Sequence, residues 1–243
     1  MTTSFGARLE AVLDGRGPVC AGIDPHRGLL EDWGLPDTAD GVREFGLRVV
    51  EAATGRIGVV KPQVSFFERH GSSGYAALED VLAAARAAGL LVIADCKRGD
   101  IGSTLDAYAE AWLTAGSPLE ADAMTAAAYQ GVGSLDPAVS RAVAAGKGVF
   151  VLAATSNPEA RDVQTARTVD GPRAGRSVAA GIVGEVRSRN TGEGLGSIGV
   201  VVGATIRLED YGLSREELVG MPVLAPGFGH QGARLSDLPA LYG

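Results

Sequence analysis

This 243-residue chain reads as an α/β protein, a (β/α)8 barrel of the TIM type, on three observations. Short apolar runs alternate with amphipathic segments along the whole length, the pattern of an α/β architecture. The runs are rich in Val, Ile, Leu and Ala and do not alternate with polar residues, as expected of parallel strands covered on both faces. No linker, low-complexity stretch or break in composition divides the chain, so residues 1–243 form one domain, close to the ~250 residues usual for such a barrel. An open, doubly wound sheet is the alternative, but no G-x-G-x-x-G follows the first strand.

Taken in order, VCAGID (19–24) is the first expected strand. A helix follows at 40–54, where Val42, Phe45, Val49 and Val50 fall near helical spacing. IGVVKP (57–62) is the second strand. The Ala- and Leu-rich 74–88 is a helix stopped by Gly89. LLVIADCK (90–97), ADAMTAA (121–127), GVFVLAAT (148–155), IGVVVGAT (198–205) and PVLAPG (222–227) are the remaining strands. Helices are expected at 103–115, 134–145, 174–189 and 213–219. Seven strands are one short of a closed barrel, so the eighth is expected to be missing or atypical, leaving the first and seventh as open edges. Two irregular stretches, 155–173 and 227–234, follow strand C-terminal ends, the face on which barrel active sites form.

Composition narrows the function. Lys and Arg number 22 against 29 Asp and Glu, a net charge of −7 with no basic run. Such a chain lacks the cations that displace counterions from nucleic acid, so no nucleic-acid partner is expected. The most apolar region, VLAAARAAGLLVIADC, is broken by Arg86 and Gly89, and no membrane span is expected. The start, MTTSFGARLEAVLDG, has no long apolar core and no cleavage-like site, so no signal peptide is expected there. Two cysteines without a C-x-x-C fit a reduced, cytoplasmic protein. His26, His70 and His230 lack metal-ligand spacing, and no metal site is expected.

The informative feature is charge at strand ends. Asp24 ends the first strand, Lys61 the second, and Asp95 and Lys97 the third, with Asp100 three residues on. Residues two apart on a strand share a face, and consecutive barrel strands are neighbours, so these groups converge on one rim. Acids and bases gathered in this way are costly to bury without a function and favour an active site. Cys96, between them, should point the other way, into the layer between barrel and helices. The late glycine-rich turn on its own reads as a tight turn; its place after a late strand favours a phosphate, with backbone N–H groups of Gly227 and Gly229 and the Gln231 amide as the candidate cradle.

The segments GIDPH, VVKPQVSFFE, ADCKRGDIGST, AATSNPE and PGFGHQGA, in this order, resemble the orotidine 5′-phosphate decarboxylase family, in particular a bacterial branch that includes actinobacterial sequences. The resemblance runs from about Gly22 to Gln231. It implies that Asp95, Lys97 and Asp100 are the family's D-x-K-x-x-D and that Lys61 is its second-strand lysine. It implies that Asp24 contacts the ribose, Ser156 reads the pyrimidine edge and Gln231 contacts the phosphate. It further implies a homodimer in which Asp100 and Thr104 reach the neighbour's site. The family's phosphate-gripping arginine has no match, and Arg234, beyond the glutamine turn, is not given that role. The implied activity is cofactor-free loss of CO₂ from orotidine 5′-phosphate to give UMP in pyrimidine biosynthesis. Lys97 would protonate C6, and Asp95 would oppose the substrate carboxylate. The competing readings are a Mg²⁺-dependent sugar-phosphate lyase with the same D-x-K-x-x-D core, and a non-catalytic nucleotide-binding relative.

Overall fold

The computed structural model describes residues 2–229, 232–238 and 241. Its elements run α1 (Phe5–Arg16), β1 (Cys20–Ile23), α2 (Arg27–Asp32), α3 (Ala39–Ala53), β2 (Val59–Pro62), α4 (Ser65–Glu68), α5 (Gly71–Ala87) and β3 (Leu91–Arg98). They continue with α6 (Gly102–Leu113), β4 (Ala123–Ala126), α7 (Asp136–Ala144), β5 (Gly148–Ala154), α8 (Arg161–Thr165), α9 (Val178–Arg189), β6 (Ile198–Val202), α10 (Arg215–Leu218) and β7 (Val223–Leu224). All seven expected strands are present, each within a few residues of its expected bounds.

The strands form one parallel sheet in the order β1-β2-β3-β4-β5-β6-β7. A doubly wound sheet reverses its strand order at a switch point. The uninterrupted order excludes that alternative.

Side-chain alternation then builds two cores. One face of the sheet supplies Cys20, Val59, Leu91, Ile93, Ala123, Phe150, Leu152, Val201 and Leu224 to a single interior cluster. Every strand contributes to it, which requires the sheet to curl around its own inner face. The other face places Val60, Val92, Met124, Val149 and Val200 in a second cluster with helix residues such as Val42, Leu78, Leu105, Ala138 and Val183. Cys96 lies in this outer layer, as expected. Pairing runs from β1 to β7, and among the described residues these two do not pair with each other.

The first helix was not foreseen. Ser4 caps α1 by accepting the Ala7 N–H at 3.2 Å. The helix buries Phe5 and Leu9 in the barrel interior, with the Phe5 ring edge-on to Phe150 at 6.0 Å. It closes the N-terminal end of the barrel, opposite the charged rim. A polar ring surrounds it: Arg8 pairs with Asp122 at 2.6 Å, and the buried Lys147 pairs with Glu120 at 2.8 Å. Two short helices, α2 and α4, also follow strands in stretches that the sequence reading left unassigned. Part of the irregular 155–173 stretch is likewise helical, as α8.

Candidate functional site

Asp95 is the centre of the rim, with its side chain only 9% exposed. Its Oδ2 accepts from Lys61 Nζ at 2.9 Å and its Oδ1 from Lys97 Nζ at 2.7 Å. Lys61 also lies 3.7 Å from Asp24. Acid and base thus alternate as Asp24, Lys61, Asp95, Lys97 across β1, β2 and β3. Burial raises the Asp95 carboxyl, but the charges and hydrogen bonds of Lys61 and Lys97 outweigh it and hold the group below the ordinary carboxylate value. Burial likewise lowers Lys61, and Asp95 with Asp24 more than restores it, so its ammonium is held above its usual value. The two lysines differ in access. Lys61 is 14% exposed, whereas Lys97 is 44% exposed and faces a cavity of about 1570 Å³.

The backbone at this point departs from a regular strand. Ala94 of β3 pairs with Met124 of β4, and Arg98 pairs with Ala126. Three β3 residues, Asp95, Cys96 and Lys97, therefore oppose the single β4 residue Thr125, a local bulge. Lys97 has φ of +48°, a left-handed conformation that non-glycine residues seldom adopt. Two residues that sequence reasoning left unassigned, Thr125 and Gln63, bond to Lys97 here. Thr125 Oγ1 accepts the Lys97 N–H at 2.9 Å and donates to Asp95 Oδ1 at 2.9 Å. Gln63 Oε1 accepts from Lys97 Nζ at 3.2 Å. Behind the strand, Arg98 pairs with Glu68, which also accepts from Tyr75 Oη at 2.6 Å. Gln63 and Glu68 stand within the VVKPQVSFFE segment, but nothing in that segment alone marks their partners.

The cavity opens above this cluster. Asp24, Gln63, Ser156, Gln164, Gly227 and Arg234 are among its lining residues. Gly22, one inward position below Asp24, leaves room for the Asp24 carboxylate, whose Oδ2 would lie too close to a Cβ there. Ser156 lies on the loop after β5, which Gln164 pins. The Gln164 amide accepts the Thr155 N–H at 2.8 Å and donates to Thr155 Oγ1 at 2.9 Å. Gly227 and Gly229 also line the cavity and adopt φ of +122° and +82°. The Gly229 N–H donates to the Ala233 carbonyl at 3.0 Å, so it is already engaged within the turn rather than turned to a ligand. Gln231 lies outside the described residues, as does His230. His26 borders the cavity but acts as the N-cap of α2, its Nδ1 accepting the Leu29 N–H at 3.2 Å.

Asp100 and Thr104 are not brought to this cluster within one chain. The Asp100 carboxylate accepts the Ile101 N–H at 2.8 Å, and Thr104 is exposed near the start of α6. Neither lines the cavity. Ile101, next to Asp100 in the chain, is 61% exposed, and Tyr129, just past β4, is 89% exposed. Burial pushes the thiols of Cys20 and Cys96 up to about 12, which keeps both protonated and unreactive. Among the described residues, no three or more His, Cys, Asp or Glu side chains are gathered as a metal site, and no helix is long and apolar enough to cross a membrane.

Comparison with known proteins places this geometry in a lineage. Residues 17–240 match the model of the orotidine 5′-phosphate decarboxylase / HUMPS family. The orotidine 5′-phosphate decarboxylase of Salinispora tropica is 53% identical over 241 residues, which is 99% of this chain and 84% of that protein. The enzyme of that name from Streptomyces coelicolor is 52% identical, over 98% of this chain and 84% of its own length. A crystal structure from Streptomyces avermitilis superposes with a TM-score of 0.93 at 52% identity, covering 100% of this chain and 83% of the other. The OMP decarboxylase structure from Leishmania donovani gives a TM-score of 0.74 at 31% identity, over 96% and 85% of the two chains. The chain belongs to the orotidine 5′-phosphate decarboxylase / HUMPS family.

Proposed function

We propose that the chain decarboxylates orotidine 5′-phosphate to UMP, with the chemistry carried by its own side chains. The observation that carries this reading is the Asp95 carboxylate clamped between two ammonium groups, one of which, Lys97, faces the cavity. In the reaction the C6–carboxylate bond breaks, CO₂ leaves, and the electron pair stays on C6. The Lys97 ammonium lies where that pair develops, stabilises it and gives it a proton. Solvent then restores the proton to Lys97. Asp95 is held ionised beside the departing carboxylate. Two such charges ~4 Å apart repel by roughly 4 kcal/mol at an effective dielectric of ~20, and loss of neutral CO₂ relieves the repulsion. Lys61 keeps Asp95 charged and in place.

The remaining assignments follow the same reading. Asp24 binds the ribose, Ser156 the pyrimidine edge, and Gly227 with Gln231 the phosphate at the far end of the cavity. Capture of a phosphate remote from C6 supplies binding energy for ordering the reacting groups. Asp100 and Thr104, which face away from their own chain's cluster, serve a second copy in a homodimer. The exposed apolar side chain of Ile101, next to Asp100 in the chain, supports that surface. Two free cysteines suit the reducing cytoplasm. A Mg²⁺-dependent sugar-phosphate lyase fits less well, because both oxygens of Asp95 are engaged by lysines instead of facing further acids.

The test is the absorbance change on loss of orotidine 5′-phosphate, with EDTA and no added metal. The parent chain turns over in this assay. Lys97→Ala binds UMP and keeps its circular dichroism but loses turnover by a factor on the order of 10⁴ or more. An active, folded Lys97→Ala variant contradicts the mechanism.

A further inference from the structure

Among the groups at the rim that the proposed chemistry does not use, Thr125 is the one buried beneath it. Thr125 is 1% exposed, does not line the cavity and cannot touch a substrate. Even so, all three residues of the β3 bulge bond to it. Its Oγ1 accepts the Lys97 N–H and donates its proton to Asp95 Oδ1, and its carbonyl accepts from the Cys96 thiol at 3.5 Å. A hydroxyl offers one donor and two acceptor lone pairs, so this arrangement uses it in both directions at once. The two groups it joins are the backbone of the proposed proton donor and the side chain of the carboxylate that this donor faces.

The link matters because the bulge is under strain. A lysine at φ of +48° brings its Cβ close to the following carbonyl oxygen, a conformation L-residues disfavour. Such a conformation persists only where its surroundings over-determine it. The Lys97 N–H donates to the Thr125 side chain rather than to a backbone carbonyl of the ladder. Without the hydroxyl, the N–H and Asp95 Oδ1 would each lose a partner at a site that water reaches poorly. The strand would relax toward ordinary φ, and the Lys97 ammonium would swing relative to Asp95.

We propose that Thr125 is a positioning residue for the decarboxylation, its hydroxyl locking the left-handed turn at Lys97 to the Asp95 carboxylate. The inference rests on the decarboxylase reading given above. It predicts that the hydroxyl, and not the volume of the side chain, sets turnover, and that substrate affinity changes little because the ribose, pyrimidine and phosphate contacts lie elsewhere.

Thr125→Val keeps the shape and removes the hydroxyl, while Thr125→Ser keeps the hydroxyl and removes a methyl group. In the full chain, kcat, KM and thermal midpoint are measured for the parent and both variants. The expected result for Val is a fall in kcat on the order of 30-fold or more with KM within about 3-fold, and for Ser a kcat within about 5-fold of the parent. Val within 3-fold of the parent in kcat, or folded Ser falling as far as Val, overturns the inference. If Val does not fold, Thr125→Cys, a weak donor of similar volume, replaces it under the same two criteria. A parent chain that fails to turn over orotidine 5′-phosphate overturns the decarboxylase reading and this inference with it. A parent that turns over beside an unimpaired Val variant overturns the inference alone.

Discussion

Burial works against the charge on Asp95, and Lys61 and Lys97 restore it. The balance has a consequence for acid stability. The folded carboxyl titrates below its unfolded value of about 3.9, so its ionised form stabilises the fold above that value. This contribution disappears as pH falls through the depressed folded value. Asp95→Asn removes the titration and leaves Lys61 without its closest anion. At neutral pH the variant is expected to be less stable by about 2–4 kcal/mol, mostly through Lys61, because the half-exposed Lys97 pair counts for little. Urea unfolding of both proteins between about pH 7 and pH 3 measures the gap, which narrows toward the acid end. A gap independent of pH would show that Asp95 is not held ionised by the fold.

The elements divide the barrel into a floor and a rim. Helix α1 closes the floor with Phe5 and Leu9, and its packing is tight: a Cβ at Gly6 would collide with the Leu195 carbonyl. A side chain at Gly148, at the start of β5, would collide with the Phe5 ring. Strand ends β1 to β5 and β7 lead to the rim, where the polar groups stand. Because floor and rim are separate layers, stability and chemistry should respond separately. Phe5→Ala empties a fully buried ring site and costs about 3–5 kcal/mol. Calorimetry should show the lower thermal midpoint, while kcat per folded molecule, measured well below it, stays within about twofold of the parent. A large loss of kcat without a loss of stability would mean that α1 acts on the rim directly.

Across the whole molecule, the alternating charges come from β1, β2 and β3 of one chain, while Asp100, on the β3–α6 turn, and Thr104, in the first turn of α6, do not line the cavity. The homodimer proposed above, with Asp100 acting on the second copy, is tested by complementation. Lys97→Ala and Asp100→Ala are each expected to be inactive alone. After mixing and subunit exchange, half of the dimers carry both variants, and one of the two sites in each of these regains Lys97 and the neighbour's Asp100. About a quarter of the parent activity is then expected. No recovery, with mixed dimers demonstrated by size and mass, would place the action of Asp100 within its own chain.

Much of this was legible in the chain. Continuous Val/Ile/Leu runs separated by helical spacing dictate buried parallel strands, and short loops between them dictate neighbouring strands in order. Asp24, Lys61, Asp95 and Lys97 could be paired in advance because strand periodicity and strand adjacency are local rules. Helix α1 escaped, since its apolar face is only Phe5, Leu9 and a few neighbours, and its reason for existing is the barrel floor that it fills. Thr125 and Gln63 escaped for a related reason: a hydroxyl or an amide has no sequence signature until the β3 bulge brings Lys97 against it. Residue type and period fixed which charges meet; three-dimensional packing alone settled the left-handed turn at Lys97, because strain at one residue is held there by partners distant in the chain.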